Sequence, residues 1–341
     1  MSEVTKKFVQ EIPKAELHVH LEGTLEPALK LKLAKRNKIQ IKQKTIEEVK
    51  ESYQFNSLAS FLSVYYAAMN VLQTQDDFYE LTFSYLKKAR KNGVKHVEMF
   101  FDPQAHTSRG IPFSTVIEGI YQATIDARSL GIDAELIMCF LRDFSKESAR
   151  KTLISLQSFK SYVIGVGLDS DEHNNPPLKF ISVFEKAVEE GFRITMHCDI
   201  DQVDSIEHIK QALEIIGVER IDHGTNIIEN PDLINFVSRN KIGLTVCPKS
   251  NSFIRPDMKG KEIKELLQKG VKISINSDDP AYFRGYISEN YWILKQQYNL
   301  NQKQIIRLAK NSFETSWISK EQKQLYLNQV DKFVSSFKNK K

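Results

Sequence analysis

One pattern recurs eight times along this chain: a short run of β-branched and aromatic residues, a polar residue at or just past its end, then apolar residues at helical spacing. The runs fall at residues 15–20, 95–101, 134–140, 164–168, 193–197, 220–223, 242–247 and 271–276. Strands alternating with helices build a parallel sheet, and eight repeats close it into a (β/α)₈ barrel of the TIM type, so the fold class is α/β. No Pro/Gly/Ser-rich linker breaks the series. The expectation is a single domain over residues 1–341, with a helical insertion at about 27–92 after the first strand. That insertion reads as helices over 27–36 and 45–53, an apolar stripe from 58 to 72 and a further helix over 76–91 closed by Gly93.

The polar residues at the run ends share one address. His18 and His20 lie two apart on the first strand, so they point to the same side while Val19 points to the other. His197 ends the fifth run, His223 the sixth, and Asp278-Asp279 follow the eighth. In a barrel these C-terminal ends meet at the top face, where such folds place their chemistry. Three imidazoles and a carboxylate suit one borderline divalent ion, zinc or iron, with a position left for water. An ion of that kind acidifies its water toward neutral pH, which is hydrolytic chemistry. His223, if not a ligand, would stand beside that water as base or electrostatic partner. Each histidine alone also reads as an ordinary core residue; their shared position is what points to a site.

Composition narrows the partners. With 41% hydrophobic and 27% charged residues the chain can bury a large core. The net charge of +5, from 48 basic and 43 acidic residues, is spread thinly. Its densest basic stretches, Lys30 to Lys44 and Lys338 to Lys341, read as a solvated helix face and a chain end rather than a nucleic-acid surface. No run approaches the roughly 18 apolar residues of a membrane span, and the first ten residues precede no apolar signal segment. The expectation is a cytoplasmic protein acting on a small molecule, with no nucleic-acid or membrane partner; oligomeric state is not readable. Cys139, Cys198 and Cys247 are too few and too scattered for a disulfide framework, lack Cys-x-x-Cys spacing, and read as buried thiols at strand ends.

Four motifs, in order, carry a resemblance to a known family. Leu17-His18-Val19-His20-Leu21-Glu22-Gly23, Ile221-Asp222-His223-Gly224, the run Leu244 to Asn251 and Asn276-Ser277-Asp278-Asp279-Pro280 resemble the signatures of the adenosine/adenine deaminase family, metal-dependent amidohydrolases on a (β/α)₈ barrel. The similarity spans about Ile12 to past Tyr286. Glu22 stands where the adenosine branch has an Asp that serves the ribose. With the stretches Phe100 to Gly110 and Gly165 to Ser170, it looks like the branch acting on the free base adenine. The resemblance implies that His18, His20, His197 and Asp278 bind the metal and that His223 orients and helps deprotonate the attacking water. It implies further that Asp279 hydrogen-bonds purine N7, that the Gly167 backbone contacts N3, and that Leu58, Phe61 and Leu62 form an apolar lid. Those three also read as a plain helix-packing stripe.

One departure matters. The family's strand-five histidine continues as His-Ala-Gly-Glu, and that Glu protonates purine N1; here Ile200 occupies its position. Asp199 lies two residues after His197 and faces the same way if the strand persists, whereas Asp201 reaches only if the backbone turns. Asp199 is therefore the preferred proton donor, with Asp201 reading also as a cap of the next helix. The expected activity is hydrolytic deamination of adenine to hypoxanthine and ammonia. The alternatives are deamination of N6-substituted adenines such as N6-alkyl or isopentenyl adenine, deamination of adenosine, and a catalytically silent purine-binding relative.

Overall fold

The computed structural model describes residues 4–198, 202–254 and 257–338. Its core is an eight-stranded parallel sheet in the order β1 (Lys14–Glu16), β2 (Val94–Phe101), β3 (Asp133–Leu141), β4 (Gly165–Asp169), β5 (Arg193–Cys198), β6 (Arg220–His223), β7 (Gly243–Val246), β8 (Lys272–Ile275). Each strand pairs with the next in parallel register. This is the (β/α)₈ barrel that the eightfold alternation predicts. The helices Pro27–Arg36, Ile46–Ser52, Leu58–Ala68 and Gln75–Lys91 lie between β1 and β2.

The seam between β8 and β1 is closed differently from the rest. Beyond Glu16 the chain leaves regular pairing, and only Val19 bridges Asp278 while His20 bridges Phe100. Asp278 donates its N–H to the His18 carbonyl and accepts from His20 N–H, both at 3.1 Å. One step lower, Leu17 N–H donates to the Asn276 side chain at 2.8 Å. The first strand is thus shorter than its 15–20 sequence run, and Asp278 lies three residues past β8 instead of closing it. Cys198 rather than His197 ends β5, and Cys139 lies two residues short of the end of β3. All three thiols are buried.

Helix Gln75–Lys91 packs on helix Phe113–Ala127, and the crossing needs a glycine: a Cβ on Gly119 would lie 2.3 Å from the Gln75 carbonyl oxygen. At the other end of the barrel, Phe333 and Phe337 of the last helix (Lys320–Lys338) seat against Phe8 of the first (Lys6–Glu11).

Low in the barrel the charges are paired. Arg220 on β6 donates to Glu98 on β2 at 2.5 Å, with the Trp317 ring 4.3 Å from the guanidinium. His96 hydrogen-bonds both Glu98 and Asp133, at 3.1 and 3.0 Å. Burial opposes the charge on His96, yet its two carboxylates raise it to about 9 from 6.5. Burial likewise opposes the Glu98 charge, but Arg220 and His96 lower it to about 2 from 4.5. A raised histidine stabilises fully below its unfolded value and loses that contribution as pH climbs through its folded one; a lowered glutamate stabilises above 4.5 and loses it toward 2. The network should therefore contribute most between about pH 4.5 and 6.5. His96→Gln is expected to lower Tm in that window and to differ little from the wild type above pH 9, as thermal melts across the range would measure.

Candidate active site

Four side chains converge where the seam closes. His20 Nε2 lies 3.1 Å from His197 Nε2, which lies 3.2 Å from His18 Nε2. Asp278 Oδ1 is 3.3 Å from His18 Nε2 and 3.4 Å from His20 Nε2. Four ligands held tetrahedrally about 2.0–2.1 Å from one ion stand about 3.3–3.4 Å apart, so the spacing is that of a coordination shell. The outer nitrogens fix the tautomers. His18 Nδ1 faces the Thr245 carbonyl at 3.1 Å, His197 Nδ1 the Leu168 carbonyl at 3.1 Å, and His20 Nδ1 the Asp169 carboxyl at 3.4 Å. Each therefore carries its hydrogen outward and turns an Nε2 lone pair toward the other two, an arrangement that a shared cation relieves.

The backbone is bent to achieve this. His223 has φ +61° and Asp278 φ +64°, a region uncommon for residues with a Cβ. Ser277 N–H and Oγ both bond Glu16, at 3.0 and 2.5 Å, which pins the turn that presents Asp278. Below the cluster, buried Asp222 accepts from Thr195 and Thr245, each at 2.7 Å, and stands 4.0 Å from His18 Nδ1 and 3.8 Å from His197 Nδ1. Gly23 is required beside Asp279: a Cβ there would lie 2.0 Å from Asp279 Oδ1.

A cavity opens above, lined by His20, His197, His223, Asp278 and Asp279 and by Asp102, Asp169, Ser170, Ser250 and Asn251. Its far wall is apolar. Leu58, Phe61, Leu62, Tyr65 and Tyr66 of helix Leu58–Ala68 face it with Phe283 and Ile254, and the Tyr66 hydroxyl bonds Ser170 at 2.7 Å. The 58-to-62 stripe thus covers the cavity rather than only packing helices. No lysine or arginine is among the described lining residues.

Electrostatics sort the titratable groups. Burial opposes the charge on Asp278, but His18 draws its carboxyl well below the usual range. Burial lowers His20 and His223 to about 4, and burial, then His18, holds His197 well down, whereas Asp278 raises His18 against its burial. The other carboxyls go up: Asp169 to about 7 by burial, Asp102 by burial and then Asp169, Asp279 by burial and then Asp278.

Of the residues read from sequence, the structure brings together His18, His20, His197, His223, Asp278 and Asp279. Gly167 stays out: it lies two residues below Asp169 on β4, packed toward Cys139 and Thr195, and does not line the cavity. Asp199, Ile200 and Asp201 lie outside the described residues. Sequence reading gave no role to Asp102 or Asp169, although both stand at the strand ends that flagged the histidines, nor to Tyr65 and Tyr66 beside the three lid residues.

Comparison with known proteins agrees with this geometry. The adenosine deaminase family model matches residues 13–333. An adenine deaminase from Psychrobacter cryohalolentis is 50% identical over 330 residues, covering 96% of this chain and 99% of its own. The crystal structure of an adenine deaminase from Arthrobacter aurescens superposes with a TM-score of 0.91 at 40% identity, over 95% of this chain and 99% of that one. An amidohydrolase from Burkholderia ambifaria, solved with bound zinc, shares the fold at 24% identity with a TM-score of 0.87, over 98% of this chain and 96% of that one. With the family model and full-length relatives in agreement, the chain belongs to the adenosine deaminase family.

Proposed function

We propose that the protein is a metal-dependent hydrolase that replaces the 6-amino group of adenine, giving hypoxanthine and ammonia. The observation that carries this is the cluster of three imidazole nitrogens and a carboxylate oxygen at the floor of a cavity walled by carboxyl groups and aromatic rings. A flat, neutral heteroaromatic ring suits such walls, whereas a phosphorylated substrate would meet four aspartates and no lysine or arginine among the described lining. The adenine deaminases at 50% and 40% identity support the same substrate.

His18, His20, His197 and Asp278 would hold one divalent ion; their donor set favours zinc, with iron second. Such an ion supplies the Lewis acidity that makes water nucleophilic near neutral pH. Burial keeps His223 neutral at pH 7, with Nε2 3.7 Å from Asp278 Oδ2, so it can accept the proton that the attacking water gives up. Burial, then Asp278 beside it, raises the Asp279 carboxyl, which favours the protonated form that can donate to purine N7. Asp199 is assigned as the acid toward N1, on its position two residues past His197. The water oxygen bonds to C6 and gives one proton to His223 while the acid protonates N1. The C6–N6 bond then breaks as His223 passes that proton to the amino group, which leaves as ammonia, and the C6 hydroxyl proton returns to the acid.

Three outcomes are expected. Purified protein should carry about one divalent ion per chain, and His197→Ala or Asp278→Ala should lose it; elemental analysis finding full occupancy in both variants contradicts the ligand set. Adenine should exceed adenosine in kcat/KM, and AMP should not react; following the ultraviolet spectrum with each substrate, and with N6-methyladenine beside them, checks this. Asp199→Asn should keep its metal and lose about 10²–10⁴-fold in kcat. Activity surviving in Asp199→Asn but not in Asp201→Asn transfers the role to Asp201.

A further inference from the structure

The cavity contains a second pair of carboxyls: Asp169, which faces His20 Nδ1 at 3.4 Å, and Asp102, to which the mechanism gives no task. Asp102 ends the β2 turn and Asp169 ends β4; both are 2% exposed and both line the cavity. Asp102 Oδ1 has no hydrogen-bond partner among the described residues. The Asp102 carboxyl interacts with Asp169 beside it, and an acceptor oxygen left without a donor away from water is costly unless a ligand completes it. His20 faces Asp169 with Nδ1 and Asp278 with Nε2, each at 3.4 Å, and groups within 4.8 Å both with Asp278 and Asp279 and with Asp102 and Asp169.

Asp102 is held firmly for a residue without an assigned task. Its backbone N–H donates to Glu22 Oε1 at 3.2 Å, and the same oxygen accepts from His106 Nε2 at 2.8 Å. His106 Nδ1 in turn accepts from Arg109 at 2.8 Å, which fixes the tautomer that donates to Glu22. Gln104 secures the following turn, bonding Leu141 N–H at 2.9 Å and Ser148 at 2.7 Å. Glu22 itself does not line the cavity. It serves as the clamp on Asp102 rather than as a ligand contact.

We infer that Asp102 reads the unsubstituted imidazole N–H of a purine base, accepting a hydrogen bond from N9–H. This rests on the adenine reading above. The two imidazole nitrogens of a purine are separated by one carbon, so a ring meeting Asp279 at N7 presents N9 toward the other side of His20. A carboxyl keeps an acceptor oxygen whether or not it carries a proton, so the contact does not depend on its ionisation. A nucleoside carries carbon at N9 and has no hydrogen to give. The device therefore selects a free base over any N9-substituted purine, and Glu22, His106 and Arg109 act through Asp102 as positioning residues. A cation held by His20, Asp102 and Asp169 is the competing use of these atoms. It would need the His20 Nδ1 lone pair, and that nitrogen carries the hydrogen that leaves Nε2 free for the first cluster.

The test compares binding of purine and 9-methylpurine to the metal-loaded protein by titration calorimetry, beside turnover of adenine and 9-methyladenine. Wild type should bind purine about ten- to hundredfold more tightly than its 9-methyl form, the range of one hydrogen bond to a charged or buried group. Asp102→Ala should weaken purine by that factor, leave 9-methylpurine nearly unchanged, and retain its metal. Asp102→Ser gives the same comparison should the alanine variant not fold. The inference is overturned if the variants keep the preference, if 9-methylpurine instead tightens because a steric block was removed, or if a second ion per chain disappears with Asp102. Wild type that binds neither purine and leaves adenine intact overturns the adenine reading as well. Wild type that deaminates adenine without regard to N9 overturns the inference alone.

Discussion

The two 3.1 Å hydrogen bonds between Asp278 and residues 18 and 20 close the barrel, and the same residues carry three of the four groups that face one another in the cluster. β8 and β1 have no regular ladder among the described residues; what joins them is this exchange, the Asn276 side chain on Leu17 N–H, and Glu16 holding Ser277. Barrel closure and ligand geometry are thus one constraint. Opening the seam would separate His18 and His20 from Asp278, and an ion that binds only the closed arrangement would favour closure by mass action. The left-handed backbone at Asp278 is tolerable because partners on both sides over-determine it.

The distribution of buried charge marks where function lies. Lower in the barrel the acidic groups are compensated: Glu98 with Arg220 and His96, Asp222 with two threonine hydroxyls and Arg220 at 3.7 Å. At the cavity the balance fails. Asp102, Asp169 and Asp279 each carry at least one buried oxygen without a partner among the described residues. A fold selected for stability alone gains nothing from such groups, since apolar residues of similar volume would cost less. Glu22 and Glu289 also carry such an oxygen away from the cavity, but three of these carboxyls on the walls of one cavity point to a ligand as the partner they lack.

Much of this was legible in the sequence, for a local reason. Strand runs, helical periods and the same-side relation of His18 and His20 follow from spacing alone, so the barrel and the histidine cluster could be drawn without coordinates. Depth along the barrel could not. Gly167 and Asp169 lie on the same face of β4, and only the stagger of neighbouring strands decides that the second reaches the mouth while the first packs on Cys139. The early end of β1 has a similar origin. Residues 17–20 have strand composition, yet Leu17 N–H bonds a side chain and Val19 and His20 meet β8 and β2 as single bridges. Asp102 and Asp169 carried the strand-end signal but lacked a histidine beside them in sequence, and their pairing joins residues 67 positions apart.

Glu22 illustrates how a one-methylene difference gains meaning only from its surroundings. By motif, it replaces a shorter acid that would contact a sugar, which by itself suggests a longer reach toward the ligand. In the fold the added length is used in the opposite direction. The carboxylate turns to His106 and to the Asp102 amide, two partners contributed by a single turn after β2, and leaves the cavity surface to Asp102. Burial opposes its charge, but the His106 hydrogen bond keeps the group below its ordinary value, so it remains a committed acceptor. His106 cannot be released cheaply either, because Arg109 occupies its other nitrogen and donates onward to the Leu72 carbonyl at 3.1 Å. The stretch from Phe100 to Gly110 and the acid at position 22 are therefore one structural unit. Exchanging Glu22 for Asp without changing that stretch would shorten the clamp and leave His106 and the Asp102 amide short of a partner, rather than create a sugar contact.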